Sequence, residues 1–226
     1  MSVASGLEAL SCVGGTTKSA ANLTRQKTGA QEPKDRELLP EPVFTGRKLT
    51  PEEFFPIAAR SETRKLELVG GEIVPMSPVS VTHGLVQMEL AVLIGSFVRE
   101  HQLGRAATDV GIVLNFGDTQ VVRGPDLALW SQEKLAQLET DLGFTRVVPD
   151  LVVEVVSPHD SWGYLHQKVL EYLTAGVRLV WIADPETRSV TVWRPNLQGA
   201  ILRTDDTLQG EDVLPGFGSP VSRIFA

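Results

Sequence analysis

Cysteine is almost missing from this sequence: Cys12 is the one thiol in 226 residues. A lone cysteine closes no internal disulfide and builds no thiolate metal site, which excludes the disulfide-stapled and zinc-ribbon classes. On that ground a cytoplasmic location is expected. Basic residues are also short, with 21 Lys and Arg against 28 Asp and Glu and a net charge of -7. Such a balance argues against a protein held on nucleic acid or on an anionic membrane by general attraction. It leaves room for a local cationic groove or a carboxylate-rich metal site. Long apolar runs are lacking too. Leu151 to Val156 and Val177 to Ala183 are strand-length, far below the roughly 20 residues of a spanning helix. The N-terminus has neither the basic start nor the apolar run of a secretory signal, so no membrane partner is expected.

What is present is globular. Apolar residues make up 42% and charged residues 22%, near the averages of folded domains. The length allows one generous domain with a tail. Residues 1–45 differ from the rest: they are rich in Ser, Thr, Ala and Gly, hold one aromatic (Phe44), and leave through Leu39-Pro40-Glu41-Pro42. Their five basic and five acidic residues cancel, so the whole net charge falls on residues 46–226. The segment reads as a flexible leader, with a misassigned start codon as the alternative, and residues 46–226 read as one domain.

The domain opens on Thr50-Pro51-Glu52-Glu53, a capping box with proline at the first helical position, which predicts a helix through about Ala59. Lys65–Val69 and Glu72–Met76 flank Gly70-Gly71 as a hairpin. A long helix is expected from about Ser80 to His101, its apolar stripe formed by Leu85, Met88 and Val92 with Leu93 and Phe97 alongside. Strands follow at Gly111–Phe116, Thr119–Val122 and Pro125–Trp130, then a short helix near Gln132–Leu138. Leu151-Val-Val-Glu-Val-Val156 is a β-branched run bounded by prolines, the pattern of a strand buried on both faces. A helix from Trp162 to Ala175 ends at Gly176. Strands at Arg178–Ala183 and Ser189–Arg194 turn through Asp184–Thr187, and small edge strands close the chain. The fold class is mixed α+β, a central sheet with helices on its faces.

Glu154 does not fit its surroundings. A carboxylate inside a buried strand is costly unless paired, hydrogen-bonded or bound to metal. Alternation places it with Val152 and Val156 on one face. By itself it reads more readily as a structural ion pair than as a functional group. Asp126, extended by Pro125 at a strand start, offers a second carboxylate at a sheet edge, an arrangement that suits Mg²⁺. Lys168 lies on the helix after the Glu154 strand with Tyr172 four residues on. It can stabilise charge on a phosphate or simply pair with Glu171 or Asp160.

These residues lie within a wider set. Glu67-Leu-Val-Gly-Gly-Glu72, Ser80-Val-Thr-His83-Gly84, Pro125-Asp126, Val153-Glu154-Val-Val-Ser157-Pro158, Lys168-Val-Leu-Glu-Tyr172-Leu-Thr-Ala-Gly176-Val, Trp181-Ile-Ala-Asp184-Pro185 and Leu214-Pro-Gly-Phe217 occur in that order. Together they resemble the Uma-type restriction endonuclease family of the PD-(D/E)XK nuclease superfamily, from about residue 50 to the C-terminus. The resemblance implies a restriction-endonuclease-like core and a divalent-metal phosphodiesterase site. Asp126 and Glu154 would be the metal carboxylates for Mg²⁺ or Mn²⁺, Glu67 an additional acid, and Lys168 the lysine. Two departures stand out. Val156 occupies the usual position of the lysine, two residues after the second acid, and Gly70 stands where relatives often carry aspartate. Lys168 with Tyr172 is similar to the Gln-x-x-x-Tyr element of related exonucleases.

His83 matches a family position; it faces the site or caps the long helix, and the sequence does not choose between these. Ser157, His159 and Asp160 crowd one turn and do not make a triad. Asp160 reads as a helix cap. His159 and His166 lack a third metal ligand. Trp181 and Trp193 read as sheet aromatics. The expected function is a metal-dependent DNA endonuclease, with a homodimer by analogy. The rival readings are a non-catalytic binding or regulatory module that kept the fold, and a hydrolase of another phosphodiester.

Overall fold

The computed structural model describes residues 47–61, 65–76, 78–138, 144–158 and 160–226. The expected leader, residues 1–45, lies outside the described residues, as does His159. The first element, α1 (Pro51–Arg60), begins as the capping box requires: the Thr50 hydroxyl accepts from the Glu53 amide, and the Glu53 carboxylate accepts from the Thr50 amide. β1 (Leu66–Val69) and β2 (Glu72–Pro75) form the hairpin around Gly70 and Gly71. Gly71 has φ +84, and a Cβ there would lie 2.5 Å from that of Lys48. Gly70 has φ +58 with open space around it, a left-handed conformation that aspartate also tolerates.

Next come α2 (Val81–Glu100), β3 (Gly104–Ala107), β4 (Gly111–Phe116), β5 (Thr119–Arg123) and β6 (Leu127–Ser131). The short helix expected at Gln132–Leu138 is reduced to a 3₁₀ turn over Leu135–Gln137. Its two leucines are only partly buried against the core, too little apolar contact to sustain a short helix. β7 (Phe144–Thr145) and β8 (Leu151–Val155) precede α3 (Trp162–Ala175), which closes on Gly176 at φ +104. Then follow β9 (Leu179–Asp184), β10 (Ser189–Trp193), β11 (Gly199–Leu202), β12 (Thr207–Gln209), β13 (Gly218–Pro220) and α4 (Val221–Ile224).

The first sheet runs β2-β1-β5-β4-β7, the second β11-β10-β9-β8-β6-β3, and β12 pairs with β13 in a small third sheet. Within the second, β8 is parallel to β9 and antiparallel to β6. Helix α3 therefore provides the crossover that a parallel pair needs. Val86, Leu90, Ile94 and Val98 of α2 cover one face of this sheet, against Leu151, Val153 and Val155. Val169, Tyr172 and Leu173 of α3 cover the other, with Val152 and residues of β4. Helix α1 packs Phe54 on Leu68, Val113 and Val122 of the first sheet. The result is a mixed α+β fold with helix-flanked mixed sheets.

The buried stripe of α2 corrects the expected one. Leu85, Met88 and Val92 are 66%, 63% and 48% exposed. The helix is apolar on two faces, so periodicity alone could not say which faces the core. Contiguous-run counting also passed over this helix, which among the described residues is the one long and apolar enough to cross a membrane, by length and composition.

Candidate active site

All five residues of β8 are buried. The strand is sandwiched between the two packed helices, and Glu154 lies on its α3 face. From α3, Lys168 donates to Glu154 Oε2 at 2.9 Å and the Tyr172 hydroxyl donates to Oε1 at 2.6 Å. Lys168 also reaches Glu67 of β1, at 3.2 Å. Neither Glu171 nor Asp160 takes this lysine. Residues 164, 168 and 172 stand four apart, so α3 presents Tyr164, Lys168 and Tyr172 on one face.

Asp126 lies between β5 of the first sheet and β6 of the second, beside the end of β8. Its Oδ2 accepts from the Val155 amide at 2.7 Å. Its Oδ1 lies 3.1 Å from His83 Nε2, and His83 Nδ1 lies 3.1 Å from Ser157 Oγ. The cap of α2 is Ser80, whose side chain accepts from the His83 amide, so His83 is not the capping residue. His83 is buried in the first turn with its ring against Asp126. Ser157 joins a hydrogen-bonded chain through His83, not through Asp160. The Asp160 carboxylate accepts from the Ser157 amide and closes that turn, while Ser161 is the N-cap of α3. The cap expected of Asp160 is therefore one residue away.

The sequence reading missed Arg123, the last residue of β5. This guanidinium is fully buried. It donates to Glu67 at 2.7 Å, to Glu171 at 2.6 Å and to the Tyr164 hydroxyl at 2.7 Å. Tyr164 in turn donates to Glu67 at 2.6 Å. The available signals were a charged residue ending the apolar Val121-Val122 run, three positions before Asp126, and the tyrosine four residues before Lys168.

The electrostatics follow from burial. Glu67, Glu154 and Glu171 pair with Lys168 and Arg123, and the charge of Asp126 acts on Glu154 from beside them. Burial opposes ionisation of Glu67, but Lys168, Arg123, the Tyr164 hydroxyl and the Gly124 amide outweigh it and lower its pKa to about 2. Glu154 goes the other way. Burial, reinforced by the nearby charges of Asp126 and Glu67, pushes it up to about 7 despite Lys168 and Tyr172. Burial also opposes the Lys168 ammonium, yet Glu154 and Glu67 hold it protonated well above the ordinary lysine range.

A small cavity of about 30 Å³ reaches this cluster, lined among others by His83, Asp126, Glu154, Ser157, Tyr164 and Lys168. Among the described residues, no three His, Cys, Asp or Glu side chains are arranged as a ready-made metal-ligand set. Asp126 and Glu154 both line this cavity, and a pair of carboxylates suits Mg²⁺, which is often held by one or two of them and completes its shell with water.

The β8-α3-β9 unit thus sets the buried Glu154 beside Lys168 of the crossover helix, with Asp126 at the start of the neighbouring β6. The chain belongs to the Uma2 family, described as "Putative restriction endonuclease", whose model matches residues 51–222. Its structure is similar to that of a "putative nuclease belonging to DUF820" from Anabaena variabilis ATCC 29413, with a TM-score of 0.66 and 22% identity over 77% of this chain and 96% of that one. No curated protein matches.

Proposed function

We propose that this chain is a divalent-metal-dependent DNA endonuclease whose site is Asp126, Glu154, Lys168 and Glu67. The observation that carries the reading is that Asp126, Glu154 and Lys168 line one cavity, with Lys168 bonded to Glu154. Asp126 and Glu154 would hold Mg²⁺ or Mn²⁺. When bound, that ion supplies polarisation of a phosphoryl oxygen and acidification of water.

The protein's own groups have separate tasks. Lys168 stays protonated, so it serves as a fixed cation for charge developing on the phosphate and not as the general base. Glu67 and Tyr172 position it from two sides, Glu67 directly and Tyr172 through Glu154. Arg123 and Tyr164 fix Glu67. His83 orients the Asp126 carboxylate, with Ser157 behind it.

The test is cleavage of supercoiled and single-stranded DNA with Mg²⁺, Mn²⁺ or a chelator. Cleavage that needs the metal and falls about a hundredfold or more in Asp126→Asn and in Lys168→Met is expected, the scale of losing one preorganised charge contact. Equal cleavage by the wild type and both variants would contradict the assignment. One observation favours a second reading, a non-catalytic binding module: both Glu154 oxygens already accept hydrogen bonds from the protein. Metal-independent DNA binding without cleavage would select it.

A further inference from the structure

Helix α2 is apolar on two faces, and the chain covers one of them. On the other, Val81 is 82% exposed and is followed by the exposed Leu85, Met88 and Val92, with Val79 just before the helix 53% exposed. Together these side chains present about 500 Å² of apolar surface, the upper end of what a monomer leaves uncovered. Farther along the helix the side chains shrink. Ala91, Gly95 and Ser96, with Arg99, form one wall of an open groove of about 530 Å³, and residues 104–106 of β3 form the other. β3 is the edge strand of the second sheet. The space over Gly95 is empty, for a Cβ added there would meet nothing within 4 Å. Glycine inside a helix weakens it relative to alanine, and no described neighbour requires one here.

We propose that this face of α2 is an isologous interface between two copies of the chain, packed as antiparallel helices with the apolar half of each on the groove half of the other. The spacing carries the register. Residues 81, 85, 88, 92, 95 and 99 recur at intervals of four and three, the seam along which helices pair. With Met88 of one copy on Val92 of the other, this row maps onto itself. Leu85 then falls on Gly95, a large side chain over an empty place, and Val81 falls on the aliphatic stem of Arg99. A twofold interface demands such self-complementarity.

Area and charge both favour a second copy over other occupants. Two such rows, with the groove walls they fill, bury roughly 1,200 Å² or more, where standard-size interfaces begin. The antiparallel arrangement also brings Glu100, exposed at the end of one helix, to the start of the other, whose first turn has no acidic residue. A carboxylate is favourable at that end of a helix. A lipid surface is served less well. Helices that lie on membranes carry Lys and Arg along the polar face, whereas α2 holds one arginine and two glutamates.

The test is sedimentation equilibrium of the full chain over a concentration series, with oxidative cross-linking to read the register. The wild type should be a dimer that half-dissociates at about 1 μM or below. Leu85→Asp should weaken it about a hundredfold or more, because an unpaired buried charge enters twice. Circular dichroism should not change, since Leu85 is exposed in the single copy. Gly95→Leu should weaken the dimer about tenfold or more by filling the space Leu85 takes, while leaving the monomer at least as stable. In a Cys12→Ser background, Leu85→Cys and Gly95→Cys should cross-link when mixed and neither should cross-link alone. A wild type still monomeric at about 50 μM, a dimer indifferent to Leu85→Asp and Gly95→Leu, or cross-linking of either cysteine variant alone overturns the proposal. Binding of monomeric wild type to phosphatidylcholine–phosphatidylserine vesicles, lost in Leu85→Asp, overturns it too and assigns the face to lipid.

Discussion

Removing the Lys168 ammonium leaves Glu154 and Glu67 facing each other's charge in a buried space. Breaking a buried pair in this way costs about 3–5 kcal/mol, so chemical denaturation of Lys168→Ala should show a loss of that size. Combining Lys168→Met with Glu154→Gln should recover much of it, because an uncompensated carboxylate is removed with its partner. The pH dependence has two branches. Glu67 binds protons less readily folded, at about 2, than at its ordinary 4.5, so its contribution to stability rises between those pH values. Glu154 holds its proton more tightly folded, at about 7 against 4.5, so its contribution is fully present below 4.5 and is lost as pH rises through 7. Thermal melts of chelator-treated protein should therefore lose stability from pH 4.5 to 7, and Glu154→Gln should flatten that slope. At this scale the sequence was partly legible. Glu154 stood out as a carboxylate in an apolar strand and Asp126 as one set by Pro125, whereas Lys168 was singled out only by the family resemblance. Arg123 did not stand out, because an arginine at a strand end looks like any exposed terminus until its three partners are in place.

Elements were legible where local chemistry fixes them. The Thr50 capping box delivered α1, and Thr50→Ala should lower stability by about 1 kcal/mol in a denaturant titration. Gly176, in the left-handed cap of α3 at φ +104, should cost about 1 kcal/mol or more when replaced by alanine, because a Cβ is strained there. An unchanged midpoint in either variant would contradict the cap assignments. What failed was the choice between faces. Val81–Glu100 carries apolar rows at Val86, Leu90, Ile94, Val98 and at Leu85, Met88, Val92, and only packing selects the first. The edge strand β3 (Gly104–Ala107) was not anticipated. Its Gly-Arg-Ala-Ala sequence has little strand propensity, and it forms by pairing with β6.

For the molecule as a whole, a net charge of -7 looked like an argument against DNA. The fold concentrates part of that charge in one buried cluster, where carboxylates of both sheets meet two cations from β5 and α3. The central claim is that Asp126 and Glu154 share a divalent cation beside Lys168. A crystal soaked in Mn²⁺ tests it most directly, through the anomalous difference density at the manganese edge. The account predicts one strong peak between the Asp126 and Glu154 carboxylates, absent in Glu154→Gln. Density with no peak there, and Glu154 still held by both Lys168 and Tyr172, would contradict it.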